Sequence, residues 1–202
     1  YYAKALALSE ERGDITGVAA WTGNIGLVYV KLSDYPRALE YYAKALTLNE
    51  KLGNKNGVAT WTGNIGLVYT NTSDYPRALE HYSKALALFE ELGNKNAVAI
   101  HSSNIGVIYD KLSDYSRALE YYSKSLAFDE ELGDIRGVAI NTGNLGIMYQ
   151  HLSDYPHALE YYNKSLALLE ELSDKASAAI VIGNIGNVHR ELDDYPRALE
   201  YY

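Results

Sequence analysis

The chain has 202 residues, a formal net charge of -8, no cysteine and 20 tyrosines. The acidic balance opposes a nucleic-acid role, because affinity for a phosphate backbone comes from Lys and Arg displacing counterions, and the missing cysteines exclude disulfides, thiolate metal sites and cysteine nucleophiles. No apolar run approaches the roughly 20 residues of a membrane-spanning helix, so no membrane partner is expected, and the tyrosine excess points to one short unit copied several times.

The unit is visible directly. D-Y-P-R-A-L starts at Asp34, Asp74 and Asp194, with D-Y-S-R-A-L at Asp114 and D-Y-P-H-A-L at Asp154, a period of 40 residues without insertion or deletion. A second block, G-N-I-G at Gly23, Gly63 and Gly183, returns as S-N-I-G at Ser103 and G-N-L-G at Gly143. Two helices fit in each period. Helix A is predicted to start at Asp14, Asn54, Asn94, Asp134 and Asp174, good N-caps, with Gly13, Gly53, Gly93 and Gly133 as the left-handed residue ending the helix before. It runs to about Leu32; helix B starts at Asp34 with Pro36 in its first turn, where a missing N–H costs nothing.

The expected array is therefore a single one over 1–202. It comprises a partial helix B over 1–12, full pairs over 14–52, 54–92, 94–132 and 134–172, and over 174–202 a helix A followed by a shortened helix B. Its fold class is all-α: a right-handed α-solenoid of antiparallel helix pairs.

Helix B carries one apolar face, Tyr35, Ala38, Leu39, Tyr42, Ala45 and Leu46, at helical spacing. The opposite face holds pairs such as Glu40/Lys44 and Glu160/Lys164, each worth roughly 0.2–0.5 kcal/mol. Helix A has two apolar stripes, one of Val18, Trp21, Ile25, Val28 and Leu32 and one of Thr22, Gly26 and Tyr29, so it is expected to lie between neighbours. Gly26 and its copies cost about 1 kcal/mol each against Ala inside a helix, which a close helix–helix approach would offset. The third stripe, Ala20, Asn24, Leu27 and Lys31, stays open.

Gly26, Tyr29, Tyr35, Ala38, Tyr42 and Ala45 resemble the pattern of the tetratricopeptide repeat (TPR) family, in register along essentially the whole chain. The longer unit is similar to the extended class of kinesin light chains and Pins/LGN-type adaptors. The resemblance implies a TPR superhelix that binds an extended peptide or partner helix in a concave groove lined by the A helices. It also allows one known activity to be tested. The carboxylate clamp of co-chaperones needs Lys three residues before the packing Gly and Asn or Arg after it; only Asn187 fits, so a chaperone-tail receptor is not expected.

Internal alignment of the repeats supplies the candidate site. Asn24, Asn64, Asn104, Asn144 and Asn184 fill one column without exception although Asn is a poor helix former. Two readings stand: a ladder of amides bonding to the main chain of a ligand, or amides bonded to a neighbouring helix or a carbonyl, spacing the repeats. Beside the ladder the columns vary: Leu27, Leu67, Val107, Ile147 and Asn187; Lys31, Asn71, Lys111, His151 and Glu191; and a third ending in Arg190. Variation on a fixed scaffold is what partner selection needs, and drift at exposed positions also produces it. The groove reads as apolar toward the first repeats and polar toward the last.

Other candidates fall away. The five His form no metal spacing; His189 is expected to be packed, His151 to face the groove, and His81, His101 and His157 to be surface substitutions. G-N-I-G lies mid-helix with no strand before it, so it is not a phosphate loop. No catalytic residue, metal or cofactor is expected. The expected partner is a protein or peptide, the expected location cytoplasmic. The alternative function is a structural or regulatory spacer that self-associates head to tail through the apolar faces of its first and last repeats.

Overall fold

Alternation of caps and apolar stripes produces helices and nothing else. The computed structural model describes residues 1–202, and its eleven helices are α1 (Tyr2–Glu11), α2 (Ile15–Lys31), α3 (Tyr35–Lys51), α4 (Lys55–Asn71), α5 (Tyr75–Glu91), α6 (Lys95–Lys111), α7 (Tyr115–Leu132), α8 (Ile135–His151), α9 (Tyr155–Glu171), α10 (Lys175–Glu191) and α11 (Tyr195–Tyr201). The even-numbered helices are the predicted A helices, the odd-numbered ones the B helices. None is long and apolar enough to cross a membrane.

Every predicted cap that opens a helix forms. Gly17 N–H donates to Asp14 Oδ1 at 2.9 Å, Gly57 N–H to Asn54 at 3.1 Å and Gly137 N–H to Asp134 at 3.1 Å. At the B helices Asp34 and Asp114 accept from the backbone of Arg37 and Arg117, and each Arg side chain folds back onto the same carboxylate. The Arg side-chain hydrogen bond, ahead of the backbone one, holds the Asp34 and Asp114 carboxyls below the ordinary carboxylate value. Ser116 replaces Pro in α7 and the helix still starts at Tyr115.

Both kinds of turn close the same way. Asp14 N–H reaches Ser9 carbonyl and Gly13 N–H reaches Glu10 carbonyl, a Schellman closure with Gly13 left-handed at φ 67°. Asp34 N–H reaches Tyr29 carbonyl and Ser33 N–H reaches Val30 carbonyl, but here the left-handed residue is Ser33 at φ 58°. Ser73, Ser113, Ser153, Ser173 and Asp193 repeat this non-glycine conformation, which the sequence pattern does not announce.

The helices form two compact units, Tyr1–Ala97 and Val98–Tyr202. In the first, α2 packs against α1 and α3, and α4 against α3 and α5. Its core joins Ala38, Tyr42 and Ala45 of α3 to Trp61, Ile65 and Val68 of α4, with the Tyr42 and Trp61 rings stacked at 5.7 Å. In the second, α8 packs between α7 and α9, and α10 between α9 and α11. Its cores are Ala118, Tyr122, Leu145 and Met148, and a larger cluster around Tyr162, Val181, Ile185 and Val188.

The close approach at the helix A glycines is real and has one cause. A Cβ on Gly26 would stand 2.6 Å from the Tyr42 ring, on Gly106 2.8 Å from Tyr122, and on Gly146 2.6 Å from Tyr162. The predicted apolar stripe needs correction at its end: Val28 is exposed, and so are Leu32, Leu112, Leu152 and Leu192, each of which follows the last helical residue and sits on the turn.

Candidate functional site

The third stripe of helix A is open, as its sequence implies, and the asparagine column lies on it. All five side chains are half-buried. Asn64 Nδ2 donates to the Thr60 carbonyl one turn back at 3.0 Å. Asn24, Asn104, Asn144 and Asn184 make no hydrogen bond within the protein, and none of their polar atoms is sealed from solvent. The spacing role thus has support at Asn64 alone.

The neighbouring columns divide by use. Leu27 is exposed, whereas Leu67, Val107 and Ile147 are half-buried, the last two also packing on the cores. Asn187 Oδ1 accepts from the Tyr202 hydroxyl at 2.8 Å. Lys31, Asn71 and Lys111 are exposed, and His151 is stacked on Tyr115 at 4.7 Å while remaining exposed. Arg190 is exposed and paired with Glu191 at 3.1 Å. In its column, Thr70 and Gln150 turn inward: Tyr162 donates to Gln150 at 2.7 Å and the Tyr82 hydroxyl stands 3.4 Å from Thr70. Where Val30 offers no partner, the Tyr42 hydroxyl is sealed and unpaired, and burial pushes its pKa up to about 12.

Histidines follow packing more than the sequence suggests. His189 is buried and stacked on Tyr201 at 5.6 Å, as expected. His157 is exposed but stacks on Tyr149 and bonds Asp154 at 2.7 Å. His81 and His101 are half-buried and not simple surface substitutions; His81 stacks on Tyr69, and burial lowers its pKa.

The column of Ala20 on the open stripe and a column beneath it add to the site. Ile100, Ile140 and Ile180 are exposed on the open stripe, so its apolar character extends to the later repeats and does not fade there. Between successive A helices the face also dips into hollows floored by the end of a B helix. One of about 210 Å³ lies between α2 and α4 over Asn49. Another of about 260 Å³ lies between α6 and α8 over Ser125 and Asp129. A third of about 240 Å³ lies between α8 and α10 over Ser165 and Leu169, and joins Asn144 to Asn184. The signal was present in the column Ser9, Asn49, Phe89, Asp129 and Leu169, whose residues change type at a fixed place.

The arrangement offers amide donors and acceptors, apolar contacts and carboxylates. No group of three or more His, Asp or Glu is placed to hold a metal ion. The tetratricopeptide repeat family model matches residues 57–131 and 137–202, and a second model of the same description matches residues 22–52. The chain belongs to the tetratricopeptide repeat family. No curated protein matches this TPR chain in sequence. Among solved structures it is similar to BtubC (BKLC) from P. vanneervenii, with TM-score 0.88 and 21% identity over 99% of this chain and 85% of that one. A Rap protein complexed with Competence and Sporulation Factor gives TM-score 0.73 and 18% identity over 91% of this chain and 52% of that one. A putative kinesin light chain with nearly identical TPR-like repeats from Podosopora anserina gives TM-score 0.73 and 12% identity over 89% of each chain. This TPR array spans about half the Rap chain, 52% of it. The fold is the TPR α-solenoid, an interaction scaffold.

Proposed function

We propose that the open face of the A helices binds an extended peptide segment of a partner protein, with the asparagine ladder bonding to its main chain. The observation that carries this reading is the set of three half-buried amides of the second unit, at Asn104, Asn144 and Asn184, with donors and acceptors unused by the protein. A backbone amide needs one donor and one acceptor, which each Asn side chain supplies, and a partly desolvated site strengthens both bonds. Exposed Ile100, Ile140 and Ile180 flank the ladder and supply apolar contact for alternate side chains. The Rap protein bound to Competence and Sporulation Factor supports the reading as a related fold that holds a factor. The reading contains no catalytic step.

The test is to select peptides from a displayed random library against the chain, then replace Asn104, Asn144 and Asn184 by Ala together. Six lost hydrogen bonds, two for each amide and about 0.5–1 kcal/mol apiece, predict a fall in affinity of about a hundredfold or more. Unchanged affinity in a variant that melts at the parent temperature would reject the ladder.

A further inference from the structure

Four positions that differ between repeats meet at one place. Ser103 stands where the other repeats have Gly, and Ser125 where Ala45 and Ala85 stand. Asn141 stands where Trp21 and Trp61 stand, and Asp129 in the column of Asn49 and Leu169. Ser103 Oγ donates to Asn141 Oδ1 at 3.0 Å; Asn141 Nδ2 donates to Ser125 Oγ at 2.9 Å and to Asp129 Oδ2 at 2.7 Å; and Ser125 Oγ donates to the Ala99 carbonyl at 2.8 Å. Every donor of the network is spent. One acceptor is left over, Asp129 Oδ1, which has no protein partner and is not sealed from solvent. Asp129 is only 5% exposed, and it floors the hollow between α6 and α8.

Room for the carboxylate is built in. A Cβ on Gly137 would stand 2.6 Å from Asp129 Cγ, and the same column holds Gly57 over Asn49 but Ser177 over Leu169. Asn49 differs from Asp129 in being used up locally, its Nδ2 on the Ala45 carbonyl at 2.8 Å and its Oδ1 taking a bond from Asn54 at 2.8 Å. Arg136 on the rim does not neutralise the floor, since its Nη1 is on Asp174 at 2.9 Å, and Asp134 Oδ1 is occupied by the Gly137 N–H.

We propose that the hollow over Asp129 is a specificity pocket for a basic side chain, Arg or Lys, of the bound peptide. It rests on the reading of this face as a binding surface and adds the chemistry of one ligand residue. A largely desolvated acidic side chain with a spare acceptor calls for a charged donor, and charge-assisted bonds are about twice as strong as neutral ones. Burial, against the hydrogen bond from Asn141, raises the Asp129 pKa, so the empty pocket carries a cost that a cation relieves. The equivalent hollow over Leu169 takes an apolar group by the same logic.

The test titrates the isotope-labelled chain with acetyl-arginine amide and with acetyl-citrulline amide, its uncharged near-isostere, following amide resonances by NMR. The arginine probe is expected to give saturable shifts at the Gly137 backbone and Asn141 side-chain amides, with the citrulline probe at least about tenfold weaker. Asp129→Asn, which keeps the size and the bond from Asn141, is expected to abolish the preference. Equal binding of the two probes, no saturable shift at Asn141, or an undiminished arginine preference in Asp129→Asn would overturn the pocket. The comparison of probes on the parent chain needs no variant, so a folding defect in Asp129→Asn leaves the question decidable. Failure of the asparagine variants to weaken selected peptides would strike the ladder and leave this result standing.

Discussion

Single glycines and serines carry much of the geometry, and they predict opposite responses to small substitutions. Gly146 lies against the Tyr162 ring, so Gly146→Ala is expected to destabilise by about 1–3 kcal/mol through overpacking despite its better helix propensity. Gly183 has open space where a Cβ would go, so Gly183→Ala is expected to stabilise by up to about 1 kcal/mol. Thermal melts of the two variants decide the matter; a shared direction would contradict it. Ser153 pays for a left-handed conformation at φ 59°, and Ser153→Gly is expected to gain about 0.5–1 kcal/mol once the larger unfolded-state entropy of Gly is deducted. The buried network adds a pH effect. The folded pKa of Asp129 is raised, so its charge opposes folding at neutral pH, and that opposition fades as pH falls through the folded value. Asp129→Asn is therefore expected to melt higher than the parent at neutral pH, with the gap closing on acidification.

At the scale of the element, each helix is delimited by side chains whose chemistry can be read without coordinates. An Asp or Asn after Gly marks both the end of a B helix and the start of an A helix, and D-Y-P marks the start of a B helix; the helices begin at the residue after these caps, as at Ile15 and Tyr35. Ser33 and its copies were not legible, since serine has no left-handed preference and only the closed turn forces it there. The asparagine column and the open stripe were legible because repeats can be aligned on one another. The hollow over Asp129 was not: Ser103, Asn141 and Asp129 are brought together only when a B helix ends beneath two A helices. Capping also predicts an acid response. Asp34, Asp74 and Asp114 have lowered folded pKa values, so their contribution is complete above the ordinary carboxylate value and is lost as pH falls through the folded one. Asp114→Asn, which keeps a capping oxygen, is expected to flatten the acid side of the melting profile; an unchanged profile would show that the cap charge is immaterial.

Across the repeats, the tyrosine-on-glycine packing is constant, while several columns that change, such as those of Ile100, Asn187 and Asp129, lie on the open side of the A helices or in the hollows beneath them. That separation is what an interaction module needs, because contacts for a partner can change without disturbing the tyrosine-on-glycine packing that holds each pair together. The most direct measurement is hydrogen exchange of the chain with and without a peptide selected against it. Binding along the A helices is expected to add protection along α6, α8 and α10, centred on Asn104, Asn144 and Asn184, with α7 and α9 unchanged apart from the end of α7 near Asp129. Protection confined to the outer faces of α7 and α9, or none on the A helices, would contradict it.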